Sequence, residues 1–172
     1  MVSPETVPAG GPRFAADRML GRLARWLRIL GHDVAYGPHL GGPTLVACAR
    51  RERRLLLTRD TRLRRDPQLP PHLFLTSDHF REQLRQVAAA VPLGGPGLLR
   101  RCLACNRVLE EVPRERARER VPPYVFETTE RFLSCARCGR FYWPATHRAH
   151  MLRELVALGL GGESVAEGDA CQ

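Results

Sequence analysis

Apolar and polar positions divide the chain into two patterned stretches. Over the first hundred residues, short apolar runs alternate with segments of helical period. Arg13, Phe14, Ala15 and Ala16 predict a first strand, weakened by its two alanines, and a helix follows over 18–30. On that helix Met19, Leu20, Leu23, Trp26, Leu27 and Leu30 share one face, a stripe suited to core packing. Gly31 supplies its stop. Residues 34–36 predict a second strand, and a Gly/Pro loop through Pro43 leads to a helix ending near Arg54. Leu55, Leu56, Leu57 and Thr58 form a third strand, 73–75 a fourth, and 80–91 a further helix. Strands alternating with helices predict an α/β architecture, a mostly parallel sheet flanked by helices.

Residues 92–97, Pro-Leu-Gly-Gly-Pro-Gly, read as a linker, after which the pattern changes. A short strand is expected around Val108, one or two helical turns within 113–120, and a β-rich run at 140–143, with 131–133 leading into the cysteine pair before it. A final helix spans 146–158. The expected division is therefore 13–91 for the α/β unit and 98–158 for a small second unit with the last helix. Segments 1–12 and 161–172 lack such periodicity and read as disordered tails. No run approaches the ~20 apolar residues a membrane span needs, and the N-terminus lacks a secretory pattern.

Cysteine spacing gives the second unit its chemistry. Cys102-Leu-Ala-Cys105 and Cys135-Ala-Arg-Cys138 can each present two thiolates, and together they complete a tetrahedral four-thiolate site for structural zinc. A redox dithiol or a disulfide pair is the alternative. A closed site of this kind folds the chain and leaves no open position for substrate. Two such knuckles joined to β-hairpins are the anatomy of a zinc ribbon, and the 29 residues between the pairs imply an insertion. Cys48 and Cys171 are left over. Thiols arranged for metal, without a secretory signal, predict the reducing cytoplasm.

Charge points to a partner. The net charge is +9, and all 27 basic residues are arginine. From 13 to 99 there are 15 Arg against 7 acids, whereas from 100 onward the surplus is two. A basic first unit predicts a polyanionic partner, nucleic acid ahead of a membrane surface. Arg18, Arg22, Arg25 and, further round, Arg28 lie opposite the apolar stripe of the first helix, a solvated face that could grip phosphates. Arg59 and its neighbours extend this character around Asp60. In the second unit Phe141, Tyr142 and Trp143 could stack on unpaired bases, with Arg137 and Arg140 on the backbone, or pack against the metal module. His147 and His150 are surface or core residues, since four thiolates already satisfy the zinc.

In an open α/β sheet ligands bind beyond the carboxyl ends of the strands. Asp17, Asp60 and Asp78 all follow strands at that edge. Converging carboxylates repel unless a cation sits between them, and hard oxygen donors suit Mg²⁺ or Mn²⁺. Each acid also has a local alternative. Asp17 and Asp78 could cap the helices they precede, and Asp60 could open a turn or pair with Arg59 or Arg62.

Asp17-Arg-Met-Leu-Gly-Arg-Leu-Ala-Arg-Trp-Leu-Arg28, Leu56-Leu-Thr-Arg-Asp60, Arg101-Cys-Leu-Ala-Cys-Asn106 and Cys135-Ala-Arg-Cys-Gly-Arg-Phe-Tyr-Trp143, then Thr146-His147, resemble the Mut-seven C-terminal RNase domain family over about 13–155. The resemblance implies a PIN-like nuclease fold fused to a zinc ribbon. It implies hydrolysis of RNA phosphodiester bonds with Mg²⁺ or Mn²⁺ held by acids at strand ends. Asp17 and Asp60 match the family's strongest acidic positions, and Asp78 matches the acid before the helix of Gln83 and Leu84. An antitoxin-like regulatory protein partner is familiar from other PIN-fold proteins. One departure stands out: where such sites take another acid at the start of the second helix, this chain reads Leu40-Gly-Gly-Pro-Thr-Leu45. Glu52 lies two turns downstream, and Asp33 at the opposite sheet edge. The departure keeps a second reading in play, a catalytically weak or inactive RNA-binding protein on the same scaffold. A protein–protein adaptor built on the ribbon is a third.

Overall fold

The computed structural model describes residues 11–93, 98–143 and 146–159, without the side chains of 146–150 and 152. Most of the expected tails, residues 94–97 of the linker, Cys171 and the side chains of His147 and His150 lie outside the described residues.

Four strands, β1 (Phe14–Ala16), β2 (Val34–Ala35), β3 (Leu55–Thr58) and β4 (His72–Phe74), form an all-parallel sheet in the order β2-β1-β3-β4. A 3₁₀ turn (Arg18–Leu20) and α1 (Gly21–Ile29) follow β1, α2 (Pro43–Arg51) follows β2, and α3 (Phe80–Ala90) follows β4. Successive strand residues point to opposite faces, which sorts the core into two layers. Phe14, Ala16, Leu55 and Leu57 pack with Leu23 and Leu27 of α1 and Leu84 and Val87 of α3. Ala15 and Leu56 pack on the other face with Leu45, Val46 and Ala49 of α2. The alanines that weaken β1 as a strand are fully buried, one in each layer. The helix stop expected at Gly31 has φ +89°. His32 N–H donates to Leu27 O at 2.9 Å and closes the cap.

The second unit is an antiparallel three-stranded sheet of β5 (Glu110–Val112), β6 (Phe132–Ser134) and β7 (Phe141–Tyr142), in that order. The long spacing between cysteine pairs is filled by β5, a 3₁₀ turn (Arg114–Ala117), α4 (Pro123–Thr128) and β6. Helix α4 had no expectation in the sequence; it is six residues long and starts on Pro123, where a missing N–H costs nothing. Val112, Ala117, Val121 and Phe132 cluster against the insertion, while Leu133 turns to the cysteine side.

Helix α5 (Thr146–Ala157), grouped with the second unit in the sequence, buries Leu155, and Leu158 directly after it, in the core of the parallel sheet. Its Glu154 accepts two bonds from Arg81 of α3, at 2.8 and 2.9 Å. Arg28 needs a correction. It is 4% exposed and donates to the carbonyls of Val34 (2.8 Å), Leu103 (2.8 Å) and Ala104 (3.1 Å). A helical wheel cannot see that the first cysteine knuckle covers this side of α1. Asn106, at φ +65°, completes the joint. Its Oδ1 accepts from Val34 N–H at 3.0 Å, and its Nδ2 donates to Asp33 at 2.6 Å. No helix among the described residues is long and apolar enough to cross a membrane.

Candidate active site and metal centre

The Sγ atoms of Cys102, Cys105, Cys135 and Cys138 lie within 4.8 Å of one another, with Cys102 and Cys138 3.7 Å apart. Tetrahedral zinc at Zn–S of about 2.3 Å places its sulfurs about 3.8 Å apart, so the cluster could hold a metal such as zinc. Supporting groups are already oriented. The Tyr142 hydroxyl sits 3.1 Å from Cys102 Sγ, and Cys105 N–H donates to the same sulfur at 3.3 Å. Burial opposes charge on Cys102, but the Tyr142 hydroxyl and the backbone N–H groups outweigh it and bring the thiol down to about 6. Burial, the bond with Cys138 and the neighbouring Cys102 push Cys105 up to about 12. Zinc binding replaces the remaining protons, so its affinity falls with acid.

The acidic site lies at the other end of the chemistry. In the order β2-β1-β3-β4 the chain leaves β1 in one direction and β3 in the other, which opens a crevice at their carboxyl ends. Asp17 follows β1 and Asp60 follows β3, so the two flank that crevice. They line one cleft of about 670 Å³ with Arg18, Met19, Gly41, Gly42 and Arg62. Thr58, the last residue of β3, joins them. Its hydroxyl donates to Asp17 Oδ2 at 2.9 Å, and Asp60 N–H donates to that hydroxyl at 3.0 Å. Asp17 is 6% exposed and its side chain makes no capping bond to the following turn. Asp60 does open a turn, accepting Arg62 N–H at 2.9 Å. The Arg62 guanidinium also grips it, at 2.9 Å through Nη2, and holds its carboxyl below the ordinary range.

Asp78 stands apart. Its side chain is 73% exposed, it pairs with His79 at 3.7 Å, and it is absent from the lining of the cleft. Among the described residues only the four cysteines form a group of three or more ligands close enough to share an ion. Strand order contributes: β4 is the outer strand, one strand removed from the β1–β3 crevice. Where a further acid was expected, Gly41 and Gly42 line the cleft. Gly42 has φ +52°, and a Cβ on Gly41 would come within 2.9 Å of Arg18 Nε.

Residues 12–155 match the family model described as the Mut7-C RNAse domain. The chain belongs to that family. No curated protein and no solved structure matches it. Membership of the Mut7-C family suggests a ribonuclease-like function with RNA as substrate.

Within this Mut7-C chain the four arginines expected on RNA fall at different places. Arg18 lines the acidic cleft, and Arg59 is half-buried beside Asp60. Arg22 lies over the Phe80 ring at 3.9 Å, at the start of α3. Arg25 lines a second groove against the ribbon. Sequence reasoning missed Thr58 as a site residue. A threonine ending an apolar strand between two acids of the same edge was the available signal. The aromatics divide as well: Tyr142 is tied to Cys102 and Leu103, while Phe141 and Trp143 pack toward Phe132.

Proposed function

We propose that this chain is a Mg²⁺- or Mn²⁺-dependent ribonuclease that hydrolyses RNA phosphodiester bonds in the cleft between β1 and β3. The observation that carries the reading is the pair Asp17 and Asp60 flanking that crevice, joined through Thr58, with Arg18 on the same wall. Two carboxylates with water and substrate phosphate suit Mg²⁺, which rarely occupies an all-protein cage. The donor set fits: Asp17 accepts its hydrogen bond from a neutral hydroxyl, and the Arg62 charge that acts on it sits on an exposed side chain. When bound, the ion would polarise the phosphate and acidify an attacking water. Thr58 fixes the Asp17 carboxylate, Arg18 and Arg59 neutralise the incoming phosphates, and Asp60, whose partner Arg62 is exposed, would hold the ion with Asp17. Asp78 lies outside the cleft lining, so the chemistry rests on Asp17 and Asp60 and Asp78 contributes little. The α/β unit of 13–91 carries the chemistry, and the zinc-bound ribbon that follows helps to position RNA.

The test is cleavage of labelled RNA with and without Mg²⁺ or Mn²⁺, comparing the parent with Asp17→Asn and Asp60→Asn. Metal-dependent activity lost in both variants is expected; activity indifferent to the metal or to both substitutions sinks the reading. Gly41 and Gly42, where a further acid was expected, favour a second reading, a non-catalytic RNA-binding protein. It predicts salt-sensitive RNA binding that survives removal of divalent ions and of the Asp60 carboxylate.

A further inference from the structure

We propose that the groove between α1 and the ribbon is a second RNA subsite, which holds a single-stranded segment beside the bond that is cut. The groove measures about 530 Å³ and is lined by Arg25 of α1, Arg120 of the insertion and Arg140 between the second knuckle and β7, with Trp143 along its wall. These three guanidiniums come from three separate elements, and among the described residues none of them is in an ion pair. Their neighbour Arg28 is saturated by carbonyls, so an anion approaching this side meets the three free charges. Three positive charges lining one groove that holds no acid favour a polyanion there. Gly139, at φ +68°, is also part of the lining and presents backbone there.

Geometry ties this groove to the acidic cleft. Arg18 lines one and Arg25 the other, and the seven steps between them along the 3₁₀ turn and α1 span about 10 Å. A strand leaving the cleft along α1 passes Arg22 and reaches the groove. Trp143 is half-buried against Phe132, with ring centroids 6.5 Å apart, and offers its remaining surface to a base. The volume suits one or two unpaired nucleotides and not a duplex. The inference rests on the ribonuclease reading in taking RNA as the ligand, but not in requiring cleavage.

The test uses the full zinc-loaded chain carrying Asp60→Asn, so that binding is read without turnover. The probe is a fluorescent ten-nucleotide oligouridylate, titrated across a salt series. The paired substitution Arg120→Gln with Arg140→Gln is expected to weaken binding about tenfold. It should also lower the slope of log K against log salt by about 1.4, at roughly 0.7 per lost single-strand contact. Arg107→Gln with Arg116→Gln, exposed and outside the groove, controls for net charge; equal weakening there overturns the subsite. So does an unchanged slope in the groove pair, and so does a blunt duplex that binds with the same groove dependence. Arg25→Gln repeats the measurement from the α1 side. No RNA affinity in the parent overturns both the subsite and RNA as substrate. Groove-dependent binding by an Asp60 chain whose parent never cleaves RNA sinks only the catalytic reading and leaves the subsite standing.

Discussion

The same sheet carries acids at both ends, and their surroundings are opposite. Before the strands, Asp33 accepts from Arg54 at 2.7 Å, Asn106 at 2.6 Å and Arg13 at 3.3 Å, while Glu52 accepts from Arg54 at 2.7 Å. Arg54 is 6% exposed, so the counter-charge is built into the fold. After the strands, Asp17 holds a neutral hydroxyl, and Asp60 holds Arg62, whose side chain is 88% exposed. A buried pair is costly to break, whereas an exposed one contributes little and exchanges readily. Residue type does not separate the two ends. The permanence of the counter-charge does.

Four experiments press on that contrast. The largest effect is expected from Asp17→Asn and Asp60→Asn, which should lower kcat for RNA cleavage at least ~100-fold while the melting temperature stays near that of the parent. Asp33→Ala should do the reverse, removing about 3 kcal/mol from unfolding free energy in a denaturant titration. A large stability loss at Asp17 instead would erase the distinction. Thr58→Val touches only the bridge between the two cleft acids, and a drop of about tenfold in kcat/KM is expected. Asp78→Asn, remote from the cleft, should change kcat by less than about threefold.

Acid supplies a further measurement. Burial would raise the Asp33 carboxyl, but the bonds from Arg54 and Asn106 hold it below its ordinary value. A depressed carboxylate contributes stability in full above the unfolded value of about 3.9, and that stability is lost as pH falls through the lower folded value. Melting temperature should therefore decline below about pH 4, and less steeply in Asp33→Asn than in the parent.

Periodicity made the layers of the first unit legible. Leu55, Leu56 and Leu57 announce a strand covered on both faces, and Gly31 marks a helix end that the backbone takes up with positive φ. The cysteine spacing was equally plain, because two C-x-x-C pairs need only one fold-back to meet. Strand order was not written in the pattern. Asp17 and Asp60 meet because β3 lies beside β1, and Asp78 is left out because β4 lies beyond β3. Contacts between units were hidden for a related reason. Arg28 looked like a solvated cation because the knuckle carbonyls that cover it lie 75 and 76 residues away. Short α4 escaped notice because six residues carry too little period to read.

Arg28 also decides how this molecule can be taken apart. A chain cut at 92–97 would seem to free a minimal catalytic module, since the linker is rich in proline and glycine. The cut would instead strip the Leu103 and Ala104 acceptors from a guanidinium in the core, remove Asn106 from Asp33, and take away Leu155 and Leu158. The seam drawn by composition is therefore not a line of weakness. The two halves stand or fall together, to be fused or expressed as one piece.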